Sequence, residues 1–123
     1  MNIDMNIKKN ILDSIAFSRK ELGFTLVSED WGQAEHKCTC AIGCVLLKDK
    51  PEDTARIEAN KERYNAAAEI LGVDDVWIDS FIEGFDANGT SVSSANPEAW
   101  ELGFEIAKET KPIAYHLWNG NPT

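Results

Sequence analysis

The chain has 123 residues, and 12 Lys and Arg against 21 Asp and Glu give it a formal charge of −9. That length fits one domain, residues 1–123, and 43% hydrophobic with 27% charged residues is a composition that buries a core rather than staying disordered. The acidic balance argues against direct nucleic-acid binding and against docking on anionic lipid, both of which need clustered Lys and Arg.

In chain order, residues 3–22 carry Ile7, Ile11, Ile15 and Leu22 on one stripe, which predicts an amphipathic helix stopped by Gly23. Residues 24–37 have no helical period and read as an irregular connection that lays Trp31 on the core. A short helix is expected over 39–48, capped by Thr39 and closed by Pro51. It is apolar nearly all round, which suits the middle of a bundle. A third helix is predicted over 53–71, ending at Gly72, with its end at Ala67-Ala68 and Ile70-Leu71 buried.

The strongest periodicity comes next. Trp77, Phe81 and Phe85 recur at steps of four in a helix opened by Asp74-Asp75, and residues 86–95 form a polar loop of small residues. Asn96-Pro97-Glu98 then combines a cap, a proline at the first helical position and an acid at the positive end of the helix dipole. Gly84 and Gly103 lie inside this helical pair and imply close approach of the two backbones. Residues 111–123, with Pro112, Gly120 and Pro122, read as an extended tail. The expected fold is therefore all-α: one bundle of four to five helices with a C-terminal helical hairpin.

No apolar run approaches the roughly 20 residues of a membrane span, and Met1-Asn2-Ile3-Asp4 does not open a signal peptide. Three cysteines, an odd number within seven residues, fit a reducing compartment rather than a disulfide framework. A cytoplasmic domain without a cofactor is expected.

Two clusters have the residue types that chemistry needs. His36, Cys38, Cys40 and Cys44 supply imidazole and thiolate ligands suited to zinc or an iron–sulfur cluster, although a second pair of ligands at a distance is missing. Cys38 is expected to be the exposed thiol, near a helix N-terminus. Glu83-x-x-Asp86 and Glu98-x-x-Glu101 place acidic dyads on facing helices, an arrangement that holds Mg²⁺ in phosphate-bond hydrolysis. In this it resembles the all-α nucleotide pyrophosphohydrolases, which implies Mg²⁺-dependent nucleotide hydrolysis, with the order of the two dyads inverted here. Asp86, Asn88 and Thr90 alternate like calcium-loop ligands, but Ser91 and Pro97 stand where the loop glycine and the bidentate glutamate belong.

Cys40-Ala41-Ile42-Gly43 is similar to a Cys-Ala-Leu-Gly-Ala segment of small bacterial and phage proteins, a resemblance that implies no activity. Residues 84–104 are similar in outline to the ribosome modulation factor hairpin, with acidic residues where that family is basic. Nucleophile motifs, a P-loop and a dinucleotide fingerprint are absent from the sequence.

The charge is localised. Residues 1–50 hold seven basic and seven acidic side chains, and residues 64–107 hold no Lys or Arg at all. Asp75, Asp79, Glu83, Asp86, Glu98, Glu101 and Glu105 therefore form a candidate acidic patch on the hairpin. The function expected from this is a non-catalytic interaction or regulatory protein that meets a basic protein surface or forms a homodimer. A small metal-dependent enzyme or metal/redox site is the competing reading.

Overall fold

The computed structural model describes residues 5–29, 32–58 and 61–118, so Trp31, expected on the core, lies outside the described residues. The first helix, α1 (Met5–Lys20), buries Ile11 and Ile15 together with the small Ser14 and Ser18, which let α2 (Ala41–Asp49) pack closely along it. Arg19 and Lys20 occupy its last turn, where cations favour the negative end of the dipole. Gly23 at φ +72° then turns the chain so that the Phe24 N–H donates to the Ser18 carbonyl.

The region read as irregular, together with Cys38 and Thr39 just after it, forms most of a small sheet. It comprises β1 (Thr25–Ser28), β2 (Gly32–Gln33) and β3 (Cys38–Thr39), with a 3-10 turn at Ala34–His36 between the last two. A fourth strand, β4 (Ile113–Ala114), comes from the region expected to be an extended tail, and α6 (Tyr115–Trp118) follows it as a single helical turn. The strand order is β2-β3-β1-β4. β1 runs parallel to both neighbours, pairing Thr25 with Cys38 and Val27 with Ile113, while β2 is antiparallel to β3. The fold is therefore mostly helical with a mixed sheet, not all-α. Strands of two residues carry no readable alternation. In β1 the adjacent Leu26 and Val27 are both buried, on opposite faces, which erases the period of two.

Two helix boundaries also differ from expectation. The cap of α2 is Cys40 rather than Thr39, which belongs to β3 and donates its hydroxyl to the Cys40 carbonyl at 3.0 Å. The predicted helix over 53–71 is divided into a 3-10 turn at Thr54–Ile57 and α3 (Lys61–Leu71). Ile57 explains the division. It is fully buried against Phe24 and Leu47 in a small cluster of its own, apart from the apolar end of α3.

The main core gathers around α2, buried throughout residues 41–47. Ile11 and Ile15 reach it from α1, Leu26 from the sheet, and Phe81, Leu102 and Ile106 from α4 (Asp75–Phe85) and α5 (Pro97–Thr110). The last two helices form the expected hairpin. Asp74 accepts the Trp77 N–H at 2.9 Å to cap α4, and Asn96 accepts the Ala99 N–H at 3.1 Å to cap α5. Trp77, Phe81 and Phe85 stack along one face, with ring centroids 5.4 and 6.2 Å apart. No described helix is long and apolar enough to cross a membrane.

Candidate functional site

The hairpin is held at backbone contact. A Cβ on Gly84 would lie 1.9 Å from the Trp100 carbonyl oxygen, and one on Gly103 would lie 2.1 Å from that of Phe81. Polar contacts fix its closed end: the Asn96 N–H donates to Ser80 Oγ at 3.0 Å, and Trp100 Nε1 donates to the Asn88 carbonyl at 2.9 Å. A surface on this pair is thus carried by two helices that cannot slide independently.

The seven predicted patch residues divide by what they touch. Asp75, Asp79 and Glu83 run along the exposed side of α4, and Glu98 and Glu101 are exposed on α5. These five make no ion pair among the described residues. Asp75 and Glu98 sit in first turns, where helix dipoles favour them, so the like-charge cost falls chiefly on Asp79, Glu83 and Glu101. Val76 and Phe104 are partly exposed among the acids; Phe104 stacks on Trp100 at 5.2 Å, and Lys108 Nζ lies 5.6 Å above its ring.

The other two have internal work. Asp86 Oδ1 accepts the Glu29 N–H at 2.9 Å. Glu105 and Glu109 share Lys8 of α1, each at 2.9 Å. Hydrogen bonds to Glu109 first and Glu105 second hold the Lys8 ammonium above lysine's ordinary pKa of 10.5. A group raised in the folded state stabilises fully below its unfolded pKa, and the benefit is lost as pH rises through the folded value. Lys8→Met is therefore expected to cost about 1 kcal/mol or less at neutral pH. Urea midpoints of the variant and the parent should converge at strongly alkaline pH.

The candidate metal ligands are dispersed. Cys38, Cys40 and Cys44 are all buried thiols, whereas His36 is exposed at the end of the 3-10 turn. Cys38, expected to be exposed near a helix N-terminus, is instead fully buried in β3 against Val27 and Tyr115. Cys40 and Cys44 belong to the main core. Burial pushes the Cys44 thiol up to about 12, against the opposing influence of the neighbouring Ser18 hydroxyl. That hydroxyl oxygen is buried with no conventional hydrogen-bond partner among the described residues. No three His, Cys, Asp or Glu side chains among the described residues converge as a metal site would, the acidic dyads of the hairpin included.

One junction carried no signal in the sequence. At the carboxyl end of β1, Glu29 adopts φ +70°, donates its N–H to Asp86, and brings Oε1 within 2.6 Å of His116 Nδ1. Beside it, Gln33 Nε2 donates to Tyr115 Oη at 2.6 Å. Glu29 and His116 are 87 residues apart in the chain, beyond the reach of any local spacing argument.

No family model, no curated protein and no solved structure matches this chain. The class defined by its own features is a mostly helical domain with a small mixed sheet, bearing an acidic helical hairpin.

Proposed function

We propose that this chain is a non-catalytic interaction protein that presents its acidic hairpin to a basic surface of a protein partner. One observation carries the reading: Asp75, Asp79, Glu83, Glu98 and Glu101 are exposed on a rigid pair of helices without an ion pair among the described residues. Unneutralised like charges cost stability, and an opposite surface recovers that cost on binding. Val76 and Phe104 add apolar area within the acidic face, as the centre of an interface requires. Three free thiols fit a cytoplasmic setting for this encounter.

The test compares the parent with the variant Asp79→Asn, Glu83→Gln, Glu98→Gln, Glu101→Gln, using a partner isolated by cross-linking to the parent. Binding of the parent should weaken steeply from low to high salt. The variant should bind about tenfold or more weakly at low salt, at less than 1 kcal/mol for each exposed charge. Equal binding by the two chains, or binding indifferent to salt, would falsify the proposal. Sedimentation of the parent alone shows whether the partner is a second copy of the chain.

A further inference from the structure

The loop between α4 and α5 holds the dipeptide Asn88-Gly89, in which a carboxamide stands next to the least hindered amide nitrogen a chain can offer. Both residues are exposed, and the Asn88 carboxamide and the Gly89 N–H make no hydrogen bond among the described residues. The Asn88 backbone, by contrast, is held on both sides. Its N–H donates to the Glu83 carbonyl at 2.8 Å, and its carbonyl accepts Trp100 Nε1–H at 2.9 Å. We propose that Asn88 is a self-modification site, where Gly89 displaces ammonia from the carboxamide and the Trp100 indole steers the product to isoaspartate. This inference is independent of what the hairpin binds.

The chemistry needs only solvent. The Gly89 nitrogen attacks Asn88 Cγ and forms a C–N bond, and its proton leaves with the carboxamide nitrogen as ammonia. The result is a succinimide ring that contains the backbone carbonyl carbon of Asn88 and its Cγ. Water then adds to one of these two carbons, and the bond from that carbon to the Gly89 nitrogen breaks. Attack at Cγ gives aspartate on the original backbone. Attack at the backbone carbonyl gives isoaspartate: the chain now runs through Cβ and Cγ, and the old carbonyl becomes a free carboxylate.

Trp100 decides between these two outcomes. Its N–H lies on the backbone carbonyl oxygen, at a distance where a fixed donor stabilises the oxyanion that water creates there. The indole is carried by α5 and only 8% exposed, so it is oriented before the reaction begins. That oxygen stays outside the succinimide ring, and ring closure leaves it free to keep the contact. The carboxylate released at the same place accepts the same N–H as a charge-assisted hydrogen bond. Each event adds one negative charge to a stretch, residues 64–107, that has no Lys or Arg. Asn96 lacks both requirements, since its carboxamide caps α5 at Ala99 and Pro97 has no N–H to attack with.

The experiment incubates the full chain at mildly alkaline pH, native and in guanidinium chloride. Peptide mapping with electron-transfer fragmentation then separates isoaspartate from aspartate. Asn88 should convert in the native chain while Asn96 stays intact. Its isoaspartate-to-aspartate ratio should be about two- to tenfold higher in the native chain than in the unfolded one, the range for one added hydrogen bond. Trp100→Phe keeps an aromatic ring without the donor and should bring the native ratio down to the unfolded one. Asn119-Gly120 repeats the dipeptide outside the described residues, and its ratio should not respond to this substitution. An Asn88 that stays intact in the native chain over the time the unfolded chain converts it would overturn the proposal. So would equal ratios in the native and unfolded parent, a comparison that reads the role of Trp100 even where Trp100→Phe does not fold. A folded Trp100→Phe chain that keeps the parent's ratio would overturn it as well.

Discussion

Gly103→Ala is expected to destabilise the chain by about 3 kcal/mol, at the upper end of overpacking costs, and to lower the thermal midpoint by roughly 10 °C. The added methyl would fall 2.1 Å from the Phe81 carbonyl oxygen and 2.8 Å from the Phe85 nitrogen. Both are backbone atoms of a helix, so no rotamer change relieves the clash. The two helices must separate, and the buried rings between them lose contact. Alanine restores about 1 kcal/mol of helix propensity, which is too little to reverse the sign. Gly84→Ala should behave alike, since its methyl would meet the Trp100 carbonyl from the opposite helix. A circular-dichroism melt reads the effect directly. A midpoint equal to the parent's would mean that α4 and α5 do not approach at these glycines. Separation of the helices would also reset the spacing of the carboxylates on the outer face, so this variant should bind the partner differently even where it folds.

Phe81→Ala is the second large effect, at about 3–5 kcal/mol. Phe81 is completely buried and is the middle ring of the Trp77–Phe81–Phe85 stack. Its removal leaves a cavity bounded by α2 and the hairpin, where close-packed helices can collapse only in part. Urea unfolding should show a reduced midpoint with an unchanged slope. The thiols supply an independent check. This variant destabilises the whole core, so it should accelerate alkylation of the buried Cys40 and Cys44, which lie in the same cluster as Phe81.

The hairpin was legible because its signals are local and redundant. Rings at steps of four mark α4, the Asn96-Pro97-Glu98 start marks α5, and glycines at the contact mark the close approach. The sheet was not legible, for two reasons. β2, β3 and β4 are too short to show alternation, and β1 is apolar on adjacent positions because both faces are covered. The helix predicted over 53–71 failed at Ile57, whose burial against Phe24 and Leu47 depends on tertiary contacts that no local pattern encodes. At the candidate site, the sign and position of the charge could be read directly. The internal roles of Asp86 and Glu105 could not, because Glu29 and Lys8 reach them from the other end of the chain. The burial of Cys38 was missed for the same reason, since its cover is Tyr115.

The parallel pairing of β1 with β4 also has a consequence for synthesis. A ribosome adding about 5–20 residues per second needs on the order of 4 to 17 seconds to travel the 87 residues from Glu29 to His116. For that interval β1 has a vacant hydrogen-bonding edge, a template on which a strand of a neighbouring nascent chain can form. Two features keep the hazard small. The edge is four residues long, and Glu29 leaves the extended conformation immediately after it, which stops a foreign strand from continuing along the chain.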